Sequence, residues 1–156
     1  MGIPITSTPT FVAELDSVVS RLEDVERRAR ALDAERMKLM AAAFDIAVLH
    51  NDEADTDDYT FIPEGRSGEI AYRSIRAEIA TSMRLSETTI DRKLSHAHVL
   101  TLHYPRVLDS LARGLINERH VSTILDAAEV IGFSADPEHE ARRASYETAV
   151  LKVAEG

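Results

Sequence analysis

The sequence predicts an all-α fold: a compact multi-helix domain with a long N-terminal helix and an internal helix-turn-helix-like segment. Three observations lead there. Aromatic residues are only 5 % of the 156, with six glycines and five prolines, so strand formers and turn formers are both scarce. Apolar side chains recur at helical spacing, and the few prolines and glycines fall where helices start and stop. The expected organisation is a disordered N-terminus over 1–9 and a single helical domain over 10–156. That domain divides into a long helix 10–50, an acidic loop 51–68 and a helical core 69–156.

From Thr10 to His50 there is neither proline nor glycine. Leu15, Val18, Leu22, Val25, Ala29, Leu32, Leu39, Ala43 and Ile46 keep one heptad register, broken only by Arg36. Asp33 has Arg36 three residues later where a capping box needs Glu or Gln, so no helix restarts there. Two readings stay open. The seam is the core face of a bundle helix, widened by Val19, Met40, Phe44 and Ala47. Alternatively Leu15, Val18, Leu22, Val25, Leu32 and Leu39 form the interface of a coiled-coil homodimer.

The acidic stretch from Asn51 to Asp58 reads as a solvated loop. As a calcium loop it fails: counting from Asp52, the third position is Ala54, the sixth Asp57 and the twelfth Pro63. Helices are expected over about Glu69–Met83 and from after Ser86 to about Leu102. Pro105 suits a helix start, Gly114 a stop and Asn117 a cap. The helix after Asn117 carries Val121, Ile124, Leu125, Ala128 and Ile131 on one face and ends at Gly132. Asp136-Pro137-Glu138 opens a last helix, for which Ala141, Ala144, Ala149, Val150 and Val153 make a thin apolar face.

Residues 77–94 have helix-turn-helix spacing. Ile79 and Met83 face the core, Ala80 permits close crossing, Leu85 plugs the turn, Ser86 caps the second helix, and Ile90 and Leu94 anchor it. Exposed positions of the second helix are then Glu87, Thr88, Thr89, Asp91, Arg92 and Lys93. Arg84, Ser86, Thr88, Thr89, Arg92 and Lys93 are the candidate DNA contacts, since such a helix offers its first residues to base edges and its cations to phosphate. Arg84 stands where glycine commonly supplies a left-handed residue, a cost of about 1 kcal/mol. Glu87 and Asp91 oppose phosphate. Pure architecture is the competing use of the same motif.

Charge restricts the partner. The net charge is −9, but residues 66–120 hold nine basic and six acidic residues, against six and 14 over 1–65 and three and seven over 121–156. DNA binding is therefore expected to be weak, salt-dependent and confined to the middle third. With no cysteine, disulfides and thiolate zinc sites are excluded. No apolar stretch approaches a membrane span, and MGIPITSTPTF has no basic-then-apolar signal, so a cytoplasmic protein is expected.

Residues 96–121, HAHVLTLHYPRVLDSLARGLINERHV, resemble the bacterial domain of unknown function 222, the 13E12-repeat family. The likeness rests on Ala97 through Leu100, Leu102 through Pro105, Leu111 through Gly114, and His120-Val121. It extends in order over roughly 10–150. The resemblance implies a DNA-directed role, because most members carry this domain ahead of a C-terminal HNH endonuclease domain. Here the nuclease module is missing: Asn51 and Asn117 are the only asparagines and neither lies between suitable histidines. The chain is expected to be an isolated N-terminal domain or the product of a truncated gene.

The histidines form no metal pair at a spacing of three or four; His96 and His98 diverge, while His96 and His103 share a face. A protonated His103 would suit its helix C-terminus, and His120 caps or packs beside Asn117. No catalytic, cofactor or metal site is expected. The leading reading is a non-catalytic DNA-binding or DNA-positioning domain. The alternative is a protein-interaction or oligomerisation module, or a family remnant without DNA binding.

Overall fold

The computed structural model describes residues 8–49 and 66–156, and they fold as an all-α structure. Its α-helices are α1 (Thr8–Leu49), α2 (Arg66–Met83), α3 (Glu87–His103), α4 (Pro105–Ala112), α5 (Glu118–Ala128) and α6 (Pro137–Ala154), with a 3-10 turn at Glu129–Ile131. The expected N-terminal disorder over 1–7 and the acidic loop over 51–65 lie outside the described residues. Two boundaries shift. Thr8 and Pro9 already belong to α1, and α2 begins at Arg66 instead of Glu69. A glycine such as Gly68 costs a helix about 1 kcal/mol, too little to exclude it from the first turn.

The breakers and caps act as the sequence predicts. Ser86 Oγ accepts the Thr89 N–H at 3.1 Å, and Asp136 Oδ1 accepts the Glu138 N–H at 2.9 Å. Asn117 and His120 cap reciprocally: Asn117 Oδ1 accepts the His120 N–H at 3.0 Å, and His120 Nδ1 accepts the Asn117 N–H. At the end of α4, Gly114 has φ +75° while the Leu115 N–H returns to the Ser110 carbonyl, a left-handed C-cap. Helix α1 runs unbroken through Asp33, which pairs with Arg36.

Helix α3 is the central post. Ile90, Leu94, Ala97 and Leu100 are fully buried, and α1, α2, α4 and α5 surround them. Phe44 of α1 meets the Tyr72 ring edge-on at 5.8 Å and stacks on His98 at 4.3 Å. Helix α6 closes the far side, where Tyr146 Oη donates to the Ile124 carbonyl at 2.7 Å.

Two expected faces are corrected. Helix α1 enters the core through Ala34, Met37, Met40, Ala41, Phe44 and Ala47, whereas Leu32, Leu39 and Ile46 of the heptad seam are exposed. At 100° per residue those seam residues point more than about 120° away from the middle of the buried stripe. The residues that merely widened the seam in sequence are the core ones, because small and flexible side chains let α3 approach closely. In α6 the packed face is Arg143, Tyr146, Glu147, Val150, Leu151 and Ala154; Ala141, Ala144, Ala149 and Val153 face solvent. Arg143 and Glu147 are 4 % and 5 % exposed because each satisfies backbone groups: Arg143 donates to the Gly132 and Ser134 carbonyls.

Candidate functional site

Two surfaces carry the residues that sequence singles out. The first is the α2–turn–α3 edge. Helix α2 ends in a left-handed cap at Arg84, φ 55°, with the Arg84 N–H on the Thr81 carbonyl and the Leu85 N–H on the Ala80 carbonyl. Ser86 then caps α3, its hydroxyl also 2.8 Å from the Thr89 hydroxyl. Arg84, Ser86, Thr88 and Thr89 are all exposed. Leu85 does not plug the turn and Met83 does not face the core: they are 38 % and 36 % exposed, while Ala80, Ile90 and Leu94 are buried at the crossing.

The other two candidate cations are engaged. Arg92 Nη2 lies 2.8 Å from Asp126 Oδ2, and Asp126 Oδ1 lies 3.2 Å from His96 Nε2. Lys93 pairs with Glu118 at the start of α5, and the second oxygen of Glu118 approaches Arg36 at 3.8 Å. Of Arg84, Arg92 and Lys93, only Arg84 has no carboxylate partner among the described residues. The two acids that oppose phosphate also have internal uses. Arg76 of α2 bonds Glu87 at 2.9 Å and Asp91 at 3.5 Å, and Tyr72 Oη donates to Asp91 at 2.6 Å. Burial, reinforced by Asp91, raises the Tyr72 phenol, which stays a proton donor.

None of these counter-ions was visible as such. No local spacing in the sequence ties Asp126 and Glu118 to cations 34 and 25 positions earlier. Between α3 and α5 a half-open cavity of about 380 Å³ is lined by Arg92, His96, Asp126 and Phe133, among others. His96, Asp126 and Glu129 share its lining, but among the described residues no group of three or more His, Asp or Glu side chains is arranged to hold a metal ion.

His96, His98 and His103 are partly buried. Burial lowers His96 and His98 despite Asp126 and Asp45 nearby. His103 is pushed down to about 4, by burial first and then by Arg143 and His98. It is therefore neutral at pH 7, not protonated against the end of α3, and it stacks on Phe133 at 5.6 Å.

The second surface is the outer side of α1. Every residue from Thr10 to Ala29 is exposed, a stretch of helix about 30 Å long. Phe11, Leu15, Val18, Leu22 and Val25 line it. The seam continues past this stretch as Leu32, Leu39 and Ile46, which are 62 %, 66 % and 51 % exposed. At the end of the stretch, Arg30 Nη1 donates to the Gly114 carbonyl at 2.8 Å, and Gly114 packs against Arg27 so closely that an added Cβ would stand 2.6 Å from its Cγ. Pairs of i,i+4 spacing, the exposed Arg28–Asp24 and the partly buried Arg30–Glu26, support this part of the helix. No described helix is long and apolar enough to cross a membrane.

No protein-family model, no curated protein and no solved structure matches this chain.

Proposed function

We propose that the chain is a non-catalytic helical module that works by pairing two copies through the outer seam of α1. One observation carries this reading. The seam residues Leu15, Val18, Leu22, Val25, Leu32 and Leu39 are all exposed on a helix whose other face is already committed to its own core. An apolar strip of that length has no use in a monomer, and strips of this kind mark association surfaces. Sedimentation equilibrium tests it. Wild type is expected as a concentration-dependent dimer, and Leu22→Asp or Leu32→Asp as a monomer with the same folded core. Wild type that stays monomeric at every concentration would sink the reading.

A second reading, DNA positioning, is favoured by the exposed α3 start, where Arg84, Ser86, Thr88 and Thr89 stand together. The resemblance in residues 96–121 supports the same role, in association with an HNH nuclease supplied elsewhere. Arg92 and Lys93 contribute less than their charge suggests, because Asp126 and Glu118 neutralise them. Fluorescence anisotropy of labelled duplex and single-stranded DNA at two salt concentrations is the test. Binding that weakens with salt, and that Arg84→Ala reduces, is the expected result; no binding at low salt leaves the motif as scaffold.

A further inference from the structure

We infer that the two copies pair as a parallel, in-register, two-stranded coiled coil from Leu15 to Ile46; this rests on the pairing reading above and adds orientation and register. In the seam's heptad Leu15, Leu22 and Arg36 take a positions, while Val18, Leu32 and Leu39 take d positions. The fully buried residues of α1 take b, e and f positions, with Ala43 of the seam partly buried against the same core, so one helix serves two neighbours on largely different sides.

The kind of occupant follows from the period. A strict seven-residue repeat drifts by about 20° per heptad on a straight α-helix, so the seam winds around α1 as it ascends. A flat surface follows such a strip for only a heptad or two. A second helix that supercoils with α1 follows it throughout.

Charge selects the copy and its direction. In a parallel pair each g residue faces the e residue five positions on in its partner. Arg21 then meets Glu26, and Arg28 meets Asp33, twice each by symmetry. In the antiparallel pair with full overlap, Leu22 lies opposite Leu39, and that register sets Glu26 beside Asp33 on the flank. One attractive contact, Arg28 with Glu35, is then offset by a repulsive one. The number of strands follows from the domain. Met40 and Ala47, both e positions, are buried beneath it, so the domain fills the flank that a third helix would need, and over these last heptads the partner's Glu35 and Ala42 meet the domain in place of an exposed e residue. Arg36 is the single charged a residue, and its tie to Asp33 and Glu118 offsets its meeting with its own copy. A polar residue at one a position penalises shifted registers.

The chain has no cysteine, so engineered thiols are unambiguous reporters. Leu22→Cys and Leu39→Cys variants of the full chain, one bearing a mass tag, are oxidised alone and as an equimolar mixture, after sedimentation has fixed the stoichiometry. The parallel register predicts that each variant crosslinks to itself alone, and that the mixture yields homodimers with heterodimers at a tenth of their amount or less. A dimer in which only the mixture crosslinks is antiparallel; it overturns this inference and leaves the pairing reading standing. A dimer in which nothing crosslinks, or a trimer or tetramer, also overturns it. A monomer at all concentrations removes the pairing reading itself.

Discussion

Glu147 caps a helix forty residues before it in the chain: its Oε1 accepts the backbone N–H of Arg106 at 2.7 Å and that of Val107 at 2.9 Å. Helix α4 begins at Tyr104-Pro105 with no cap from its own residues, so its orphan donors are satisfied from α6. Glu147→Ala leaves a buried N–H unpaired and is expected to cost about 2–4 kcal/mol, whereas Glu147→Gln keeps an acceptor and loses about half as much. Urea denaturation measures both. A loss below about 1 kcal/mol for the alanine variant would show that α4 does not depend on this carboxylate.

One partly buried tyrosine and one fully buried one predict opposite signs. Tyr146 Oη donates to the Ile124 carbonyl, so Tyr146→Phe is expected to destabilise by about 1–2 kcal/mol. Tyr104 is fully buried and its hydroxyl has no partner among the described residues, so Tyr104→Phe removes an unpaid desolvation and is expected to stabilise by about 1 kcal/mol. Thermal melts of the two variants side by side check the pair. Equal signs would mean that the Tyr104 hydroxyl is satisfied in solution.

Arg84 holds φ 55°, a conformation that costs an L-residue about 1–2 kcal/mol. Arg84→Gly is expected to raise stability by about 0.5–1 kcal/mol after the extra flexibility of glycine in the unfolded chain. If the α3 edge contacts DNA, the same variant also weakens that binding. Stability gained together with affinity lost, read by melting and by anisotropy, would identify an arginine kept at a strained position for its charge.

His103 makes the domain acid-sensitive. Its folded pKa, about 4, lies below the unfolded value near 6.5, so between these values the unfolded chain holds the extra proton. The stability this histidine contributes is complete above pH 6.5 and is lost as pH falls toward 4. His96 and His98, also lowered by burial, add to the same slope. His103→Phe keeps a ring against Phe133 and removes the titration. The difference in urea midpoint between pH 7.5 and pH 4.5 is expected to shrink in this variant. An unchanged difference would assign the acid sensitivity to other groups.

The readable parts of this protein are the local ones. Ser86, Pro105, Gly114, Asn117 and Asp136 act within three or four residues of themselves, and each marks the boundary its type predicts. The faces that pair distant helices were harder. A heptad seam and a bundle stripe look alike in one dimension, and Leu32 or Leu39 outranks Ala34 or Met37 on any hydropathy scale. Yet close packing onto α3 selects the smaller and more flexible side chains. The same holds in α6, where Arg143 and Glu147 are core residues because of backbone groups they meet 9 to 41 positions away. The site was legible as a motif and illegible as a charge distribution, since the partners of Arg92 and Lys93 come from α5.

The glycine corner after α4 is a seat for the long helix. Arg27 rests on Gly114 and Arg30 grips its carbonyl, while four residues farther on Glu118 holds Lys93 of the α3 edge. One short loop thus joins the outer part of α1 to the start of α5 and, through Glu118, to the edge of α3 that carries Lys93.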